Sequence, residues 1–73
     1  MEDLKGKTAK IRVDYLSGKG LNQGDPVEIL DQWEEPLAPG NPSLGKRTKI
    51  VVRSLKSPTI AEEVDWTDVV MEG

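Results

Sequence analysis

The sequence predicts a small all-β domain of about five short antiparallel strands, and three stretches carry that expectation. Residues Ala9, Ile11, Val13 and Tyr15 alternate with Thr8, Lys10, Arg12 and Asp14, the period-two pattern of a half-buried strand. Gly24-Asp25-Pro26 runs directly into Val27-Glu28-Ile29-Leu30-Asp31-Gln32-Trp33, a turn signal followed by a strand. Ile50-Val51-Val52 is a continuous apolar β-branched run of the kind found in strands with neighbours on both sides and cover on both faces.

In chain order, the first strand is expected over residues 7–15, where two β-branched residues and one aromatic strengthen the alternation. Ser17-Gly18-Lys19-Gly20 breaks it, and Leu21 is placed to dip into the core before the next turn. At that turn Gly24 supplies backbone freedom, the Asp25 side chain can accept from nearby amides, and Pro26 suits the first position of a strand. The second strand is expected from Val27 to Trp33. Val27, Ile29 and Trp33 share a parity that Leu30 does not, so a twist or bulge is expected there.

Residues 34–46 hold three of the five prolines and are expected to form a long proline-rich loop, tied to the body by Leu37 and Leu44 or used for binding. A third, central strand is expected over residues 47–55. The remainder supports two readings. A helix over residues 58–71 has Ser57 as cap, Pro58 at the first position and Glu62 and Glu63 in the first turns, giving an α+β domain with a three-stranded sheet. The other reading pairs Val64 with the third strand, turns once at Asp65-Trp66-Thr67-Asp68 and ends in a strand at Val69-Val70-Met71. Asp68 interrupts the helical stripe and β-branched residues are frequent, so the all-β reading is preferred.

Composition narrows function. At 73 residues the chain is expected to be one domain with a folded surface of roughly 4,500 Å2, which leaves little core to spare for an enclosed substrate pocket. Neither histidine nor cysteine is present, which excludes disulfides, thiolate chemistry and histidine-based acid–base pairs. An enzyme is not expected, nor is a cofactor or a metal site. Asp65 and Asp68, three apart, are read as a turn cap and its neighbour rather than as cation ligands. The early residues lack the apolar stretch of a signal peptide and no run is long enough to span a bilayer. A reducing cytoplasm and no membrane association are therefore expected.

The net charge of −3 is unlike that of a general phosphate binder. Its sign alternates along the chain: basic over residues 5–19, acidic over 25–35, basic over 46–56 and acidic over 62–72. Neighbouring strands of opposite charge explain that pattern by cross-strand pairing. The alternative is a nucleic-acid surface on strands 7–15 and 46–56 using Lys10, Arg12, Lys49 and Arg53, with an aromatic residue for base stacking.

The order of these elements has sequence content. Ala9-Lys10-Ile11-Arg12-Val13-Asp14-Tyr15 is similar to the Ala-Leu-Tyr-Asp-Tyr segment of Src-homology-3 domains. Leu21 followed by Gly24-Asp25 and Pro26–Leu30 resembles that family's apolar residue, acidic turn and second strand, and Val64–Val69 stands where its closing turn would fall. The resemblance spans residues 9–70 and implies a Src-homology-3-like small barrel. It implies a proline-rich ligand only through Tyr15. Thr48-Lys49-Ile50-Val51 replaces the tryptophan expected at the third strand, and the closing turn lacks its proline and tyrosine.

The expected role is a non-catalytic protein-interaction module that binds another protein or itself through Tyr15, Trp33, Leu37 and Leu44. With no phenylalanine in the chain, at least one of Trp33 and Trp66 is expected to serve as core, and Trp33 is the candidate anchor.

Overall fold

The computed structural model describes residues 3–72, the side chain of Pro42 excepted. Five strands, β1 (Thr8–Ile11), β2 (Pro26–Pro36), β3 (Lys46–Ser54), β4 (Ala61–Asp65) and β5 (Val69–Met71), form one antiparallel sheet. Their order is β4-β3-β2-β1-β5, so β3 has neighbours on both sides, as its apolar run implies. The C-terminal helix does not form. In its place β4 leads through a 3-10 turn, Trp66–Asp68, into β5. The β-branched Val64 and Val69 face the core, and Asp68, which would break a helical stripe, closes the turn instead.

One core serves the whole sheet. Ala9 and Ile11 of β1, Val27 and Ile29 of β2, Ile50 and Val52 of β3, Val64 of β4 and Val69 of β5 are buried together with Leu4, Leu16 and Leu21. Each of these valine, leucine and isoleucine side chains contributes about 1.5–3 kcal/mol relative to exposure. Val13, Ile60, Trp66 and Met71 pack against this cluster half-buried, so Trp66 is the tryptophan that serves the core.

β1 is shorter than residues 7–15. Beyond Ile11 the backbone turns to other partners, with the Arg12 amide donating to Asp68 O (2.8 Å) and the Gly24 amide to Ile11 O (2.7 Å). The chain then bends, and Leu16, not Tyr15, takes the buried position. Tyr15 is 64% exposed.

The second strand does contain the irregularity that Leu30 signals. Ile29 pairs with Val52 and Asp31 with Val51, so Leu30 is the extra residue of a bulge. The Asp31 carboxylate accepts the Gln32 amide at 2.8 Å beside it. Beyond the bulge the pairing continues to Pro36–Lys46, which corrects the loop expected over residues 34–46. Pro36 is tolerated because it is the last residue of its strand, and the irregular connection is residues 37–45, including a 3-10 turn at Pro42–Leu44.

Candidate functional site

The candidate site is an open cleft of about 400 Å3 on the outer side of the sheet. Tyr15, Leu16 and Lys19, from the loop after β1, form one wall. Arg47 and Lys49 of β3 with Glu63 and Asp65 of β4 form the other, and Thr67 and Asp68 of the 3-10 turn close one end.

Alternation places these side chains. Thr48, Ile50 and Val52 point into the core, so Arg47, Lys49, Val51 and Arg53 point outward. In-register partners share that face: Trp33, Lys49 and Asp65 form one cross-strand row, and Asp31, Val51 and Glu63 form the next. Trp33 Nε1 donates to Glu35 Oε2 at 3.4 Å, and the same carboxylate accepts Arg47 Nε at 3.0 Å. Trp33 is half-buried and flanks the cleft through Lys49 without lining it.

The 3-10 turn holds Tyr15 in place. Asp65 Oδ1 accepts the Thr67 amide (3.0 Å) and hydroxyl (2.9 Å), while Asp68 Oδ2 accepts the Asp65 amide at 3.2 Å, a reciprocal cap. The other Asp68 oxygen accepts the Tyr15 hydroxyl. That bond to a buried carboxylate, aided by desolvation, raises the Tyr15 pKa above its ordinary value. Hydrogen bonds from Thr67 hold Asp65 below the usual carboxylate range. Both carboxylates are therefore committed to the turn. Among the described residues no group of three or more histidine, cysteine or acidic side chains is arranged to hold a metal ion.

The other predicted residues separate into two groups. Leu37 and Leu44 are 53% and 58% exposed at the hairpin end, and the Leu37 amide donates to Gly45 O at 3.0 Å. Leu37 continues the outward parity of Trp33 and Glu35, and neither leucine lines the cleft that Tyr15 walls. The four basic residues of the nucleic-acid alternative are each engaged. Lys10 lies 3.8 Å from Glu72, Lys49 3.6 Å from Glu63 and Arg53 2.5 Å from Glu28, and Arg12 Nε donates to Thr67 O at 2.7 Å. Sequence reading overlooked Arg47 and Asp68 as site residues; the first was legible from its parity with Lys49, and the second gave only its spacing from Asp65. No helix of the described residues is long and apolar enough to cross a membrane.

No protein-family model matches this sequence, and comparison with curated proteins and with solved structures yields no significant match.

Proposed function

We propose that this chain is a non-catalytic protein-binding module on a Src-homology-3-like small barrel, acting in the cytoplasm. The barrel reading is supported by the strand order and by the single 3-10 turn joining the two edge strands, alongside the sequence resemblance. The observation that carries the binding reading is the apolar exposure on the β2–β3 hairpin. Leu30, Leu37 and Leu44 are all exposed there, with Trp33 half-buried among them. Tyr15, across the cleft from β3, adds a second aromatic surface.

Other roles have less support. Asp65 and Asp68 are tied to the turn they cap, so a general base has no free carboxylate in that pair. Arg47 and Lys49 occupy the wall where an aromatic groove for proline-rich peptides would need a ring. A net charge of −3 and acidic side chains beside Lys10, Lys49 and Arg53 disfavour a phosphate backbone.

The test is association with a partner captured from the native host. The double variant Trp33→Ala, Leu37→Ala is expected to weaken capture at least about tenfold, since buried aromatic anchors carry more than about 1 kcal/mol each. Undiminished association at unchanged melting temperature would overturn the reading. Retention on single- or double-stranded nucleic acid at low salt is not expected.

A further inference from the structure

The outer face of the hairpin has an apolar strip set in a charge pattern. Leu30, on the outward parity of Glu28 and at the bulge, is 39% exposed. Val51 stands half-buried at the same level on β3, and Trp33 and Leu37 continue the strip toward the hairpin end. On this face β2 presents Glu28, Asp31 and Glu35, and β3 presents Arg47, Lys49 and Arg53. An acidic stripe thus lies beside a basic one, with Leu30, Val51 and Trp33 between the Glu28–Arg53 pair (2.5 Å) and the Glu35–Arg47 pair (2.9 Å) and Leu37 beyond the second.

We propose that two copies of this chain meet on this face, related by a two-fold axis running along the hairpin between β2 and β3. This rests on the protein-binding reading above and names its partner.

The charge pattern selects both the occupant and the axis. A two-fold axis along the strands lays β2 of each copy over β3 of the other and keeps each residue at its own level along the strand. Glu28 then faces Arg53 of the second copy, and Glu35 faces Arg47. Leu30 of each copy meets Val51 of the other. An axis across the strands would instead stack β3 on β3 and bring like charges together. Packing two sheets face to face places them about 10 Å apart, a distance these side chains fill. The area suits the size of the molecule. About 800 Å2 per partner in a standard interface is near a sixth of its 4538 Å2 surface. The apolar run Ile50-Val51-Val52, which implies cover on both faces, has cover for Val51 in the dimer.

Sedimentation equilibrium of the full chain at low salt, from low micromolar to about 1 mM, tests this. The expected result is a species of twice 8.1 kDa in the wild type. Leu30→Ser with Leu37→Ser is expected to raise the dissociation constant at least about tenfold. Both side chains are exposed, so circular dichroism and melting should hold. Arg47→Glu should weaken the dimer similarly, and adding Glu35→Arg should restore it. A wild type that stays monomeric over the whole range overturns the proposal, as does a dimer indifferent to all of these changes. A monomer whose partner capture is still lost in the Trp33→Ala, Leu37→Ala variant would overturn self-association alone and leave the protein-binding reading standing.

Discussion

Gly20 shows how one residue can carry a joint of the fold. Its φ is +88°, in the left-handed region, and a Cβ there would stand 2.6 Å from Ile60 Cδ1. Gly20→Ala is therefore expected to destabilise the protein by about 1–2 kcal/mol from backbone strain, with more added if Ile60 cannot move; urea unfolding measures it. Tyr15 carries a different kind of constraint. The Asp68 carboxylate favours its neutral hydroxyl and raises its pKa above 10.0. That contribution to stability is complete below the ordinary tyrosine pKa and is lost as pH rises through the raised folded value. Absorbance titration should place Tyr15 above a free tyrosine, and Tyr15→Phe should remove the alkaline loss of stability tied to it.

At the scale of elements, two short turns depend on aspartates. Asp25 Oδ2 accepts the Asn22 amide at 3.0 Å, and Lys56 Nζ lies 3.3 Å from the other oxygen. The Asn22 bond first, then Lys56, lowers the Asp25 pKa below its ordinary value, as the Thr67 bonds lower that of Asp65. Because the folded state favours both ionised forms, their contribution is present above the ordinary carboxylate pKa of about 4 and is lost as pH falls through the depressed folded values. Thermal melts are expected to show stability level near neutrality and falling below about pH 4. Asp65→Ala removes a cap and should cost about 0.5–2 kcal/mol. It should also flatten part of the acid limb. The hairpin joins the same scale to function, since the bulge at Leu30 switches the parity of β2 and turns Trp33, in step with the buried Val27 and Ile29, to the outer face.

At the scale of the molecule, stability of about 0.05–0.15 kcal/mol per residue leaves a 73-residue chain little reserve. Leu21 and Ile29 are fully buried, and either one replaced by alanine should cost about 2–5 kcal/mol. The expected outcome is a chain near its unfolding threshold at growth temperature, read by denaturant titration. Leu44→Ala at the exposed hairpin end should move the same midpoint very little. The contrast separates what holds the core from what remains for a partner.

Local pattern determined much of this protein. The alternation at Ala9 and Ile11, the turn at Gly24-Asp25-Pro26 and the apolar run of β3 each required one backbone geometry to bury apolar surface, and each formed it, while the off-parity Leu30 marked the bulge. Charge alternation between segments foretold the cross-strand ion pairs for the same local reason. Tertiary structure decided the rest, because the deciding contacts join residues far apart in sequence. Tyr15 leaves the strand parity to reach Asp68, 53 positions on. Glu34 to Pro36 become strand, despite the proline, because β3 offers them partners. Residues 61–71 become two strands and a turn because β3 and β1 supply the edges they pair with. Whether Trp33 and Leu37 form core or surface was likewise settled by which face of the hairpin met the other strands, since period-two alternation defines two faces but leaves the choice between them to packing.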